Sequence, residues 1–153
     1  MHGRPMLLKT TTVLLCAVVA AACTSRLPAD QARWLQPPQA IQLAADAAPR
    51  GVAGVFVMQV KAVGATDHVV YLNSETDYRD QRNLTVAVSP AAARQLEARL
   101  GAPLARALDR QLILVRGSAR RVRIDFVTEG VPSGKYYYQT HVRVTDAAQI
   151  QLQ

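Results

Sequence analysis

Cysteine is nearly missing from this chain: there are two, Cys16 and Cys23, both within the first 23 residues. A disulfide framework in the body of the protein is thereby excluded, and whatever folds after residue 23 is held by its core. Histidine is almost as scarce. Beyond the first 23 residues there are only His68 and His141, and no HExxH or CxxC spacing occurs, so the sequence carries no signal for a catalytic metal. No G-x-S-x-G surrounds Ser74 or Ser89, and Asp77 with Asp80 make a hydrolytic carboxylate pair only if the fold brings them into a cleft. The chain is read as a non-enzyme with no cofactor. Long apolar runs are absent too: the longest uncharged one, over 12–22, is about a dozen residues where a spanning helix needs about 20.

What that run does resemble is a leader. Arg4 and Lys9 precede it, and Ala20, Ala21 and Ala22 form a small-residue tract directly before Cys23. These residues are similar to the bacterial lipoprotein signal, with Ala20 standing where Leu is usual. The resemblance implies that Cys23 receives the lipid and becomes the mature N-terminus. It also implies a location in the bacterial cell envelope, anchored to a membrane through the lipid. Thr24 in place of Asp at the next position points to the outer membrane, facing the periplasm. Cys16 is a poorer site because Leu15 is bulky. Once Arg4 and Lys9 leave with residues 1–22, 16 basic side chains remain against 11 acidic ones, a net charge of +5.

Residues 23–50 hold Pro28, Pro37, Pro38 and Pro49 among Ala, Gln and polar residues, which reads as a linker interrupted by short helical pieces over 30–35 and 41–47. Trp34, the one tryptophan, is expected to lie on the edge of the folded domain. From residue 51 the pattern becomes β. Strands are expected over 52–63, 68–73, 84–88 and 111–115, where period-two alternation or short apolar runs recur between turn residues. A helix is expected over 90–100, with Ser89 as N-cap, Pro90 at its first position and Gly101 closing it. Gly117 reads as a bulge or bend. A long hairpin follows, turning at 130–134, with Val122, Ile124, Phe126, Tyr136, Tyr138, Val142 and Val144 on a core face. Arg121, Arg123, Tyr137, Gln139, His141 and Arg143 then fall on an outer face.

Three strands, a helix and two strands is the order of the five-stranded Greek-key OB barrel, with its one helix between strands 3 and 4. Gly51-Val52-Ala53-Gly54-Val55 entering the first strand, Tyr71-Leu72-Asn73 ending the second, and the run from Asp109 to Gly117 resemble bacterial envelope lipoproteins carrying an OB-fold, nucleic-acid-binding-like domain. Asp109-Arg110 stands where Gly-Lys is common in that last segment. The expected organisation is therefore a signal peptide over 1–22, a lipidated N-terminus and linker over 23–50, and a mainly β, OB-like domain over 51–153.

Two candidate surfaces follow. In the segment 72–83, Tyr78 and Arg79, with Arg82, supply stacking and positive charge for an anionic planar ligand. The same segment's Asp77 and Asp80 offset those charges and suit a self-capped turn, and that near balance favours the structural account. In the last hairpin, Arg121, Arg123, Tyr137, His141 and Arg143 are expected to share a basic face, either a ligand site or a solvated sheet surface that discourages edge pairing. An anionic polymer or an envelope protein is the expected partner; nucleic acid is the alternative.

Overall fold

In the computed structural model, residues 34–153 are described. The leader, Cys23 and the first part of the linker lie outside the described residues. The elements are β1 (Trp34–Leu35), α1 (Pro37–Asp46), β2 (Val52–Gln59), β3 (Ala62–Ala65), β4 (Val70–Asn73), β5 (Leu84–Val88), α2 (Pro90–Leu100), α3 (Leu104–Ala107), β6 (Leu112–Thr128), β7 (Val131–Val144) and β8 (Ile150–Leu152), with one 3-10 turn, Ala147–Gln149, before β8. The protein is mainly β, and its strands pair in the order β1-β2-β6-β7-β5-β4-β3, with β8 added to β6, in a sheet that curls into a half-barrel. The sequence run 52–63 is one strand broken at Val60 and Lys61: β2 pairs with β6 and β3 pairs with β4, at opposite ends of that order.

The concave side is filled by Phe56, Met58, Val60, Leu72, Val86, Val88, Ile113, Val115, Val142 and Val144, all buried. Each large apolar side chain buried this way contributes about 1.5–3 kcal/mol relative to exposure. Helix α2 adds Ala92, Ala93 and Leu96 to that core, one face of a 3.6-residue period. It begins as expected, with Ser89 Oγ accepting from Ala92 N, and Gly101 ends it in the left-handed conformation at φ 69°. Arg99 then ties α2 to the C-terminal segment, donating to the carbonyls of Ala147 and Ile150 at 3.3 and 2.8 Å.

Several expectations are corrected. The linker reading fails for 34–50: α1 buries Ala40 and Ala44 in the main core, and Trp34 pairs with Val55 in a parallel ladder. Prolines 37 and 38 start this helix rather than prevent it, because first-turn N–H groups have no partner to lose. Trp34 and Leu35 are accordingly strand, not the end of a helical piece. The one helix expected between the third and fourth strands is followed there by a second, the four-residue α3.

The hairpin is tighter than expected. Glu129 and Gly130 form the whole turn, at φ 52° and 81°, the pair of positive values a two-residue type I′ connection needs, and Val131 is already strand.

The last correction concerns Gly117, which makes no bulge. It pairs in register with Gly54, and a Cβ there would stand 2.7 Å from Val142 Cγ1, so glycine permits close packing of two strands rather than a bend. Without an inserted residue the alternation carries straight through: Ile113, Val115 and Ala119 point inward, so Arg121 and Arg123 continue that face. Val122, Ile124 and Phe126 fall on the other side. Ile124 is half-buried and Phe126 exposed, as are Tyr136 and Tyr138, so none of these five belongs to the core.

Candidate functional site

Residues directly opposite in a ladder share a face. Arg121 faces Thr140, Arg123 faces Tyr138 and Asp125 faces Tyr136, whereas Arg120 faces His141, Val122 faces Gln139 and Ile124 faces Tyr137. The expected basic surface is therefore two surfaces. Arg121 and Arg123 lie on the continuation of the core face; Tyr137, His141 and Arg143 lie on the convex one, joined there by Arg120.

On the first face the arginines are already engaged. Arg121 stacks 3.8 Å from the ring centre of Tyr138 and Arg123 4.1 Å from that of Tyr136, and the two tyrosine rings meet edge to face at 5.6 Å. Asp125 also receives two hydrogen bonds from Arg123, at 2.7 and 2.9 Å, and holds that guanidinium more firmly charged. Planar cations over aromatic faces gain about 0.5–1 kcal/mol at exposed sites, so the ladder stiffens the free end of the hairpin.

The convex face carries two adjoining clefts with Tyr71 and His141 as their common wall, the two rings edge to face at 6.4 Å. One cleft, of about 660 Å3, is lined by His68, Ser89, Ser118, Arg120, Val122 and Arg143 among others, with no carboxylate among its lining residues. The other, of about 390 Å3, is lined by Thr66, Tyr78, Ile124, Tyr137 and Gln139, with no lysine or arginine.

A hydrogen-bond chain sets the second cleft. Gln139 Nε2 donates to the carbonyl of Tyr78 at 3.2 Å and to the Tyr137 hydroxyl at 2.9 Å, which turns Gln139 Oε1 toward His141 Nε2, 2.7 Å away. An amide oxygen only accepts, so Nε2 carries the imidazole proton. Burial pushes the His141 pKa below its ordinary 6.5, keeping the ring neutral. Burial, together with neighbouring Tyr78 and Asp77, raises Tyr137, while Arg79 and Gln139 pull it the other way.

The segment 74–83 is built from within. Asn83 Nδ2 donates to Asn73 Oδ1 and Thr85 Oγ1 at 3.0 and 2.9 Å, Thr85 Oγ1 donates to Asn73 Oδ1 at 3.0 Å, and Ser74 Oγ accepts from Leu84 N at 2.8 Å. All five of these residues are buried, and the network satisfies their polar groups. Asp77 Oδ1 accepts from Arg79 N, and Asp80 receives both the backbone and side chain of Arg82, which holds its carboxyl at about 2. Tyr78 is left exposed at the cleft's rim with Arg79 stacked 4.6 Å from its centre.

Sequence reasoning missed Arg120. The signal was available in the double arginine at 120 and 121, which alternation must send to opposite faces; what hid it was the bulge assumed at Gly117. Among the described residues no group of three or more His, Cys, Asp or Glu is placed to hold a metal ion, and no helix is long and apolar enough to cross a membrane.

No family model matches the chain, and no curated protein is significantly similar to it. Among solved structures it is similar to a putative aspartyl-tRNA synthetase from Leishmania major Friedlin, at 7% identity and a TM-score of 0.37. That match covers 90% of this chain and 23% of the other, so the chain spans about a quarter of that protein's length. The likeness is too slight to carry fold or function.

Proposed function

We propose that the chain is a lipid-anchored protein of the bacterial cell envelope whose OB-like barrel binds an anionic polymer on the convex face of its sheet. The observation that carries the binding role is the pair of contiguous clefts, one basic and free of carboxylates, the other aromatic. What supports the barrel reading is the pairing order. If 52–65 is taken as the first strand, it meets β4 at one end and β6 at the other, β5 lies parallel to β7, and α2 falls between β5 and β6, which is the five-stranded Greek-key arrangement. The anchor rests on Cys23 and the small-residue tract before it. No residue is assigned a catalytic role; the protein is a binding module, placed at the outer membrane by Thr24.

The experiment has two arms. Expressed in a Gram-negative host, the chain should fractionate with membranes and carry a lipid-modified N-terminus, and Cys23→Ala should abolish both. The lipidated chain in detergent micelles should retain anionic envelope polymers, with retention falling as salt is raised because the contacts are largely charge-based. Tighter retention of single-stranded nucleic acid, with a steep salt slope from counterion release, would replace the polymer by the alternative reading.

A further inference from the structure

The charge on the convex face is concentrated at one end, and that distribution limits what the two clefts can hold. Arg120 lies opposite His141, and Arg143 is two residues further along β7 on the same face. That makes the two arginines diagonal neighbours, a relation that sets side chains about 7–8 Å apart and within reach of one small oxyanion. Both are exposed, and among the described residues neither guanidinium forms an ion pair or a hydrogen bond, unlike Arg82, Arg99 and Arg123. Asp67, next to His68 in sequence, is not among the cleft's lining residues, so nothing in the lining repels an anion.

The cations do not continue past the common wall of Tyr71 and His141. Arg121 and Arg123 are on the opposite face, stacked on their own tyrosines. At the rim of the aromatic cleft Arg79 lies over the Tyr78 ring, 4.6 Å from its centre, and is not among the lining residues. One strand of nucleic acid carries a phosphate at every residue, so it would set its next phosphate in a cleft whose lining holds no lysine or arginine. A ligand with one anionic group followed by a neutral, polar, ring-shaped unit matches both clefts. Tyrosine and glutamine around the second cleft suit a sugar, since a ring face can lie on an aromatic and its hydroxyls can bond with amide and phenol groups.

We propose that the paired clefts hold one repeat of an anion-bearing glycan, its phosphate or carboxylate between Arg120 and Arg143 and its sugar ring against Tyr71 and Tyr137. The inference rests on the reading of the convex face as the binding surface and specifies the ligand's chemistry. It requires no reaction; the ligand is held and released unchanged.

The test uses the full chain in detergent micelles, followed by calorimetry and by NMR of tyrosine and histidine side chains. The probes are trigalacturonic acid, mannose 6-phosphate, mannose, inorganic phosphate and a short oligothymidylate. At least one of the two charged sugars should bind about tenfold or more tightly than mannose or inorganic phosphate, with Tyr71, Tyr137 and His141 signals all perturbed; which of them binds better separates phosphate from carboxylate. Arg120→Gln with Arg143→Gln should weaken the charged sugars about tenfold or more while thermal unfolding stays unchanged, because among the described residues neither guanidinium has an ion-pair or hydrogen-bond partner. Tyr71→Phe and Tyr137→Ala should weaken the sugars and leave inorganic phosphate alone. An unchanged affinity in the folded double variant, inorganic phosphate binding as tightly as the charged sugars, or oligothymidylate binding more tightly than either would overturn the proposal. Failure of the envelope reading looks different: a wild-type chain that is never lipidated yet still binds the charged sugars refutes the location and leaves this ligand assignment standing.

Discussion

The two faces of the β6–β7 hairpin are both built from arginine and aromatic residues, yet they end in opposite states. On the face that continues the core, Ala119 and Val142 are buried and the next positions outward, Arg121, Tyr138, Arg123 and Tyr136, stack on one another. On the convex face Arg120 and Arg143 flank a cleft without an ion-pair partner among the described residues, and the aromatic residues further along, Tyr137 and Phe126, meet at 5.2 Å beside a second cleft. A cation that already rests on an aromatic ring and a carboxylate has little left to offer a ligand, whereas one that faces an acid-free hollow retains its full field. Counting arginines on a strand therefore locates a basic region but not a basic site.

That contrast is broken most strongly where the hairpin enters the core. Phe56→Ala should cost about 3–5 kcal/mol, because the side chain is fully buried and its removal leaves a cavity, while Phe126→Ala should cost about 1 kcal/mol or less from its exposed position near the hairpin's end. Urea denaturation of the two variants checks this, and equal losses would mean that the hairpin's far end is as much a part of the folded core as the barrel.

The register that divides the two faces is sharpened by Gly117→Ala. Its Cβ would press on Val142, and overpacking of this kind costs about 1–3 kcal/mol. In a Val142→Ala background the same substitution should cost less, and a double-mutant cycle with no coupling would place Gly117 away from Val142 and return the bulge to consideration.

The smallest effect is the pH response of the convex face. Because burial holds the His141 pKa below its ordinary 6.5, the unfolded chain binds a proton there that the folded chain does not. Stability should therefore be complete above about pH 6.5 and fall as the pH is lowered from there through the folded-state pKa. His141→Gln should flatten that part of the profile, measured as the urea midpoint between about pH 7.5 and pH 5.5. A midpoint that rises on acidification in the wild type would show the ring to be stabilised in its charged form.

How much of this was legible in the sequence differs by element. The helix over 90–100 could be read to the residue because its signals are local: Ser89, Pro90 and Gly101 each act on neighbouring backbone groups. The self-contained turn around Asp77 and Asp80 was legible for the same reason, since an aspartate two residues before an amide is a local motif. Only the second half of helix α1 was legible, in the short helical piece expected over 41–47; its proline-rich start resembles a linker, and the burial of Ala40 and Ala44 in the main core makes it an element of the fold.

The sequence by itself determined the β-rich class, the strand and turn order, and which residue types crowd the last hairpin, because alternation and turn chemistry act over a few residues. Only the tertiary structure decided which way each arginine points. Parity along β6 is inherited from its start at Leu112 and is carried unbroken past Gly117 by pairing with β2, a strand that lies some sixty residues earlier in the chain. A single inserted residue would have exchanged every side chain beyond it, so the choice between a stacked, satisfied arginine and a free one rested on a long-range contact that no local pattern records.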